Sequence, residues 1–243
     1  MSLDLSVVIP AYNEEERLPA ALSRIKSYLD RQSLEYEIVV VDDGSVDGTL
    51  EMAEEFRSNL ARIIVLSNDS NRGKGFSAKR GFLAASGDLV LLTDADLSAP
   101  IEEFGKLWAA VRGIDGVIGS RALRGSEIFA HQSFFRELSG KFFNLMMRLI
   151  TGLNFHDTQC GFKLFRREPF LPVFRDLQIE GFAFDVEILF LARQRGLRVA
   201  EIPVRWGDAE GTRVRLLQGA RSFLELVAIR LRHGRRGGRD LKS

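Results

Sequence analysis

Residues 37–45 read Glu37-Ile38-Val39-Val40-Val41-Asp42-Asp43-Gly44-Ser45. The run Glu37–Val41 is nearly continuous in apolar residues rather than alternating, the pattern of a strand covered on both faces. The acidic turn Asp42–Ser45 then stands at the strand's carboxyl end. Working outward, Val7–Pro10, Arg62–Ser67, Asp88–Thr93 and Gly116–Ser120 repeat the pattern. Helical segments are expected between them at 14–30, 47–58, 73–86 and 100–113. Asp47 marks a helix start, Gly87 follows a stop, and Pro100 sits in a first turn. Strands alternating with helices through connections of this length imply right-handed crossovers and a mostly parallel, Rossmann-like sheet flanked by helices. Such sheets bind ligands beyond the carboxyl ends of their strands. Attention therefore falls on Tyr12–Glu14, Asp42–Ser45, Asp69–Gly75 and Asp94–Ser98.

The second half is less regular. Phe134–Ile150 reads as an amphipathic helix, Thr158–Phe165 as a strand, Phe182–Arg195 as a helix and Leu197–Ile202 as a strand. A C-terminal amphipathic helix is expected from Arg213 to Arg232. No repeat, low-complexity tract or Pro/Gly/Ser linker divides the chain, so one domain is expected over residues 1–233, with a disordered basic tail at 234–243.

With 243 residues, 45% of them hydrophobic, the chain can bury a sizeable core, which excludes disordered and fibrous classes. A near-neutral balance of 34 basic and 33 acidic residues hides an asymmetry. From Arg205 onward nine Arg and one Lys face four carboxylates, so a basic end follows a mildly acidic body. That suits an anionic partner such as phosphate, a nucleic acid or a lipid headgroup. The lone Cys160 excludes an internal disulfide and fits a reducing compartment. Neither a signal peptide nor an apolar run of the ~18 residues needed to span a bilayer is apparent, so a cytoplasmic protein peripheral to the membrane is expected.

Asp94-Ala95-Asp96 directly follows the strand ending at Thr93. Two carboxylates one residue apart at a strand end can share a hard cation, Mg²⁺ or Mn²⁺, whose other positions go to phosphate oxygens and water. Asp-x-Asp is also an ordinary turn or cap. Its context is Pro10-Ala11-Tyr12-Asn13-Glu14 after the first strand and Val41-Asp42-Asp43-Gly44-Ser45 after the second. There carboxylates can meet a base or ribose, and Tyr12 offers a flat face. Gly73-Lys74-Gly75 lacks the upstream glycine of a P-loop, although Lys74 can still face a diphosphate. His131, His156 and His233 have no ligand spacing, which argues against zinc. No G-x-G-x-x-G follows the first strand, which argues against a dinucleotide-dependent oxidoreductase. Nor does that strand lead into the Gly-rich basic loop of a sugar nucleotidylyltransferase.

These stretches resemble the inverting glycosyltransferases of family 2, which have the GT-A fold. VVIPAYNEEERLP, EIVVVDDGSVDGT, NRGKGFSAKRGFLAASGD and LLTDADLSAP carry the likeness. Gly119-Ser120-Arg121, Asp157–Lys163, Phe184–Glu187 and Ile202–Val204 extend it over roughly residues 5–215. It is closest to polyprenyl-phosphate hexosyltransferases, the dolichyl-phosphate glucosyltransferases above all. The resemblance implies that Pro10, Tyr12, Glu14, Val41 and Asp43 surround the nucleoside. It also implies that Asp94, Ala95 and Asp96 hold the metal and diphosphate, and that Arg121 and Arg213 reach the phosphates. Arginine suits that part, because its fixed fork of donors matches phosphate oxygens.

Dolichyl-phosphate mannosyltransferases usually carry Gln after the metal motif and a Gly-Glu-Ser-Lys loop near the end. This chain has Ser98 and Trp206-Gly207-Asp208-Ala209-Glu210-Gly211-Thr212-Arg213, nearer to the glucosyl relatives. The donor therefore leans to UDP-glucose over GDP-mannose, and the acceptor to a polyprenyl phosphate. A lipid phosphate is already anionic, whereas a sugar hydroxyl requires a carboxylate base, for which Asp157 and Asp185 are the candidates, Asp157 favoured. Phe134, Phe135, Leu138, Phe142, Leu145, Met146 and Leu149 share one helical stripe that either lies in a bilayer interface or packs on the core. The arginines at 230, 232, 235, 236 and 239 suit a membrane surface rather than nucleic acid, for which aromatic platforms are missing. A transferase acting on a sugar hydroxyl and a non-catalytic nucleotide-sugar-binding membrane protein remain as alternatives.

Overall fold

A computed structural model describes residues 3–59, 62–129, 134–207 and 216–234, with the backbone alone at 59, 134–142 and 216–222. Arg213 and the arginines at 235, 236 and 239 lie outside the described residues.

Seven strands form the main sheet: β1 (Leu5–Ala11), β2 (Tyr36–Asp42), β3 (Ile63–Ser67), β4 (Leu89–Leu92), β5 (Gly116–Ser120), β7 (Lys163–Arg166) and β8 (Val199–Pro203). Their spatial order is β3-β2-β1-β4-β7-β5-β8. All run parallel except β7, which is antiparallel to both β4 and β5. The expected strand at 158–165 is thus shorter and later, because residues 158–162 form a loop above the sheet edge. A small pair, β6 (Glu127–Ile128) with β9 (Arg205–Trp206), stands apart from the main sheet.

The apolar runs behave as a doubly covered sheet requires. Leu5, Val7, Ile9, Ile38 and Val40 project into one core with Leu18, Leu22 and Ile25 of α1 (Leu18–Leu29) and Phe104 and Leu107 of α4 (Phe104–Ala110). Val8, Val39 and Val41 project into the other core, against Phe82 of α3 (Lys74–Ala84) and Phe170 and Phe174 of α6 (Arg167–Asp176). Successive strand residues point to opposite faces, so a sheet buried on both sides loses its polar alternation. Each fully buried Val, Ile or Phe contributes about 1.5–3 kcal/mol.

Helix α2 (Thr49–Asn59) opens with Asp47 Oδ1 accepting the Thr49 amide at 3.1 Å, the part expected of that aspartate. Gly87 serves differently: a Cβ there would lie 2.6 Å from the Leu5 carbonyl carbon, so it marks a close backbone approach. On the second core's side, α7 (Phe184–Gln194) is buried along most of its length. Beyond it, α5 (Phe134–Thr151) and α8 (Leu216–His233) pair through the Phe143 and Phe223 rings, 5.4 Å apart. On α5, Phe143 and Met147 face the core, whereas Leu145 and Leu149 of the expected stripe are exposed. Phe134, Phe135, Leu138 and Phe142 have no described side chains.

β1 lies between β2 and β4, so the chain leaves it in opposite directions on its two sides. A crevice opens at such a reversal, beyond the carboxyl strand ends. Because β7 runs antiparallel, its first residue, Lys163, reaches the same edge.

Candidate active site

Three loops at that edge are stitched into one unit. Asn13, with φ of 56°, donates its amide to Ser45 Oγ at 2.9 Å and accepts the Val46 amide at 3.0 Å. The Glu14 amide donates to Thr49 Oγ1 at 2.7 Å, and the Gly48 amide donates to Glu15 Oε2 at 2.7 Å. The buried Asp43 carboxylate accepts from Asn68 Nδ2 (2.7 Å), the Arg72 amide (3.0 Å) and the Gly73 amide (2.8 Å). It therefore ties the 68–73 loop to the end of β2. Val41 is buried in the core, so it can offer a ligand only its main chain. Pro10 is half-buried at the end of β1, and Tyr12 stands exposed at the rim.

The next group is built around Asp94. Lys74 Nζ lies 2.5 Å from Asp94 Oδ1. Lys74 opens α3 between two glycines that admit no side chain. A Cβ on Gly73 would lie 2.4 Å from the Glu180 carbonyl oxygen, and one on Gly75 2.4 Å from that of Ile179. Gly161 closes the other flank of Asp94, since its Cβ would fall 2.1 Å from Oδ2. Burial works against the Asp94 charge, but Lys74, Lys163 and Arg121 outweigh it and hold the carboxyl below the usual range. Burial likewise opposes the Lys74 charge, and Asp94, Asp185 and Asp96 keep the ammonium raised. Asp96 turns its Oδ1 to the Ser98 amide at 2.9 Å, while Ala95 between the two aspartates is buried. The Glu14 carboxyl is raised, first by burial and further by Asp96 and Asp94, although Arg17 at 2.6 Å opposes the shift.

Arg121, just past β5, completes the edge. Its Nε meets Asp157 Oδ2 at 2.6 Å and its Nη2 meets Oδ1 at 2.9 Å. The guanidinium carbon lies 5.3 Å from the centre of the Trp206 ring. Asp157 is half of a deeper arrangement, for its amide donates to Glu201 Oε1 at 2.7 Å and the His156 amide to Oε2 at 2.9 Å. Burial opposes the Asp157 charge, and Arg121 more than compensates, leaving the carboxyl lowered. Behind Asp94, the fully buried Lys163 holds Asp185 Oδ1 at 2.6 Å and also donates to the Cys160 carbonyl. Burial raises the Asp185 carboxyl against the pull of Lys163 and Lys74. It also pushes the Cys160 thiol up to about 11, so this cysteine packs as an inert hydrophobe.

Sequence reading gave no site role to Lys163, Glu201, Trp206 or Gly161, although all but Glu201 lie in the family-like stretches. For the first two a signal existed: each is a charged residue set in an otherwise apolar strand run. Gly161 owes its part to a loop crossing that only the fold reveals.

The donor set fits a divalent cation. Asp94 and Asp96 supply hard carboxylate oxygens at one strand end, with the Glu14 charge close enough to be felt by both. Among the described residues no three His, Cys, Asp or Glu side chains close on one point. The protein thus offers a pair of carboxylates rather than a cage, as hard cations shared with a substrate phosphate prefer.

Residues 6–174 match the family model described as glycosyl transferase family 2. The chain belongs to this family. Among curated relatives of this glycosyltransferase, dolichyl-phosphate beta-glucosyltransferase of Drosophila melanogaster is 38% identical over 88% of this chain and 70% of its own length. The human and Saccharomyces cerevisiae proteins of the same name are 36% and 34% identical, over 94% and 93% of this chain and 75% and 74% of their own. Among solved structures, mannosyl-3-phosphoglycerate synthase from Rubrobacter xylanophilus superposes on the glycosyltransferase with a TM-score of 0.69 at 24% identity, covering 99% of this chain and 77% of that one. Glucosyl-3-phosphoglycerate synthase from Mycobacterium tuberculosis, solved with Mn²⁺, UDP-glucose and phosphoglyceric acid, gives 0.66 at 22% identity, covering 95% and 79%. The fold of the glycosyltransferase is the GT-A fold expected from its sequence.

Proposed function

We propose that this glycosyltransferase moves glucose from UDP-glucose to a polyprenyl phosphate of the dolichyl type, with inversion at the anomeric carbon. One observation carries the choice of acceptor. Asp157 and Asp185, the two candidate proton acceptors, are both bound by cations, Arg121 and Lys163. A sugar hydroxyl needs a base to take its proton. A phosphate monoester is already anionic and needs none. The names of the curated relatives support the same acceptor and the same sugar.

In this reading residues 1–233 act as one domain. The nucleobase lies against Tyr12 at the rim, with the main chain at Pro10 and Val41 shaping its floor and the Glu14 carboxyl facing the ribose. Asp43 holds the 68–73 loop, and with it Lys74, beside the diphosphate. An acceptor phosphate oxygen attacks the anomeric carbon from the face opposite the diphosphate. The bond from that carbon to the diphosphate oxygen breaks, and UDP leaves with the electron pair. Arg121, its fork set by Asp157 and its face covered by Trp206, together with Lys74, stabilises the charge that develops. Such preorganised stabilisation is usually the largest catalytic contribution. A Mg²⁺ or Mn²⁺ ion at Asp94 and Asp96 supplies Lewis-acid neutralisation of the departing diphosphate when bound. Arg213 is assigned to the phosphates by family resemblance alone.

In this reading the enzyme works peripherally at a membrane surface, on its cytoplasmic face. Leu145 and Leu149 of α5 and Leu224, Val227 and Leu231 of α8 are exposed, with Arg230 and Arg232 beside the last of them. An apolar stripe bordered by arginine suits a bilayer interface. No described helix is long and apolar enough to cross a membrane.

The test is direct. Purified protein is incubated with Mn²⁺ or Mg²⁺ and labelled UDP-glucose or GDP-mannose, with and without dolichyl phosphate, and organic-phase label is counted. Chelator-sensitive, lipid-dependent label from UDP-glucose supports the proposal. Label from GDP-mannose alone would replace the donor, and label on a sugar hydroxyl but never on lipid would replace the acceptor.

A further inference from the structure

Resting on the reading of Asp94 and Asp96 as the metal pair, we propose that Lys74 is a built-in counter-cation. It holds the Asp94 carboxylate until a nucleoside diphosphate draws it away, so that metal ion and donor bind interdependently. One oxygen of Asp94 is already engaged. Its Oδ1 carries the Lys74 ammonium at 2.5 Å, and Gly161 stands on the other side, where a Cβ would fall 2.1 Å from Oδ2. A divalent ion on Oδ1 would stand within a few ångströms of that ammonium, in a partly buried site where water screens it poorly. The ammonium must therefore leave for the ion to settle.

Only the side chain is free to do this. The Gly73 amide is bonded to Asp43 Oδ2 at 2.8 Å, and that of Gly75 to the Glu180 carbonyl at 2.8 Å. Gly75 is also wedged against Phe184 Cβ, which an added Cβ would approach to 2.6 Å. Four methylenes then let the ammonium swing from a pinned Cα, and the Lys74 side chain is 26% exposed on its open side. The other buried anion nearby gives it no alternative resting place, because Asp185 is already held by Lys163 at 2.6 Å. An incoming diphosphate supplies new anionic oxygens, while the metal ion restores positive charge at Asp94. The two ligands thus exchange partners with Lys74, which after the exchange faces the diphosphate. Thermodynamic linkage makes the coupling reciprocal: whatever factor UDP adds to metal affinity, the metal adds to UDP affinity.

The test measures Mn²⁺ binding by the electron paramagnetic resonance signal of free Mn²⁺, with and without UDP, in the wild type, Lys74→Met and Lys74→Arg. Thermal unfolding of each variant checks the fold. UDP is expected to tighten Mn²⁺ binding at least tenfold in the wild type. Lys74→Met should bind Mn²⁺ at least tenfold more tightly than wild type without UDP and lose most of the coupling. Lys74→Arg should keep the weak binding in the absence of nucleotide. If folded Lys74→Met binds Mn²⁺ alone no better than wild type, while wild type with UDP binds it well, the counter-cation role is overturned and the metal site stands. If wild type takes up no Mn²⁺ even with UDP, the metal pair itself is wrong, and the inference falls with it.

Discussion

Arg121 and Asp157 meet fork to fork, at 2.6 and 2.9 Å, and the same aspartate also accepts the Arg121 amide at 3.0 Å. One carboxylate thus fixes both the backbone and the side chain of this arginine. In the proposed reading such a group positions another and carries no proton in the reaction. Replacing Asp157 with Asn keeps the shape and removes the charge. Turnover is expected to fall ~10- to 100-fold, as for the loss of a partner that orients a reacting group, with the pH–rate profile keeping its shape. Disappearance of the acidic limb of that profile in Asp157→Asn would instead make the residue the base.

The same pair fixes a pH dependence of stability. The folded Asp157 carboxyl sits below its ordinary value because Arg121 outweighs burial, and Asp94 is lowered similarly by its cations. A depressed carboxylate contributes stability that is fully present above its unfolded value. That contribution is lost as pH falls from there through the folded value. Asp185, raised by burial, has the opposite sign: it subtracts stability as pH rises from the ordinary value through the raised one. Urea denaturation from neutral pH into acid should show wild-type stability falling below the ordinary carboxylate range. Asp157→Asn should be less stable at pH 7 by about 3 kcal/mol, the low end for breaking a buried pair because Arg121 stays 28% exposed. Its acid slope should be shallower, and an equal slope in both proteins would show that Asp157 does not set it.

Gly161→Ala separates site from fold. The new Cβ would enter the space of Asp94 Oδ2, a side-chain atom on a partly open edge. The carboxylate must move while the core below stays packed. Transfer is expected to fall at least 100-fold, with near-wild-type circular dichroism and weaker Mn²⁺ binding in the presence of UDP. Full activity in a folded Gly161→Ala protein would show that the position of Asp94 does not matter.

What could be read from sequence follows from which signals are local. The strands β1 to β5 announce themselves because each must be apolar on both faces, and the polar loops after them then fall on one edge. The direction of β7 was not legible, since a short apolar run looks the same in either orientation. Helix α6 was missed because Pro169 and Pro172 interrupt its pattern. Proline costs an interior helix a hydrogen bond, yet buried Phe170, Val173 and Phe174 hold this one in place. The two-residue strands β6 and β9 are too short for any periodicity to register. Asp94, Asp96 and Arg121 were found by motif. Gly161 beside Asp94, Lys163 holding the Asp94 charge low, and Glu201 accepting the amide of Asp157, the partner of Arg121, come from distant segments that only the tertiary fold joins.

The exposed helix faces lead to a separable loss. Leu149→Glu with Leu231→Glu places two charges on positions 68% and 69% exposed, so little core packing is disturbed. Flotation with vesicles of anionic phospholipid should lose most of the bound protein, whereas UDP binding by calorimetry should stay within twofold of wild type. Retained flotation would move the membrane contact away from this face.

Lys163 offers the sharpest division between stability and function. It is fully buried, and Asp185 Oδ1 stands 2.6 Å from its ammonium. Taking one member away strands the other in a low-dielectric interior, at a cost of about 3–5 kcal/mol. Replacing a buried pair by apolar residues of similar volume is often neutral or stabilising. Lys163→Met alone should therefore unfold at markedly lower urea, and Lys163→Met with Asp185→Leu should recover most of that loss. Activity should not recover with it. Lys163 helps to hold the Asp94 carboxyl low, and Asp185 helps to hold the Lys74 ammonium charged. The apolar pair removes both influences from the two groups proposed to meet the diphosphate. A double variant as stable as wild type but ~100-fold slower would show that the buried pair serves the electrostatics of the edge above it. Restoration of both stability and turnover would reduce the pair to a structural role.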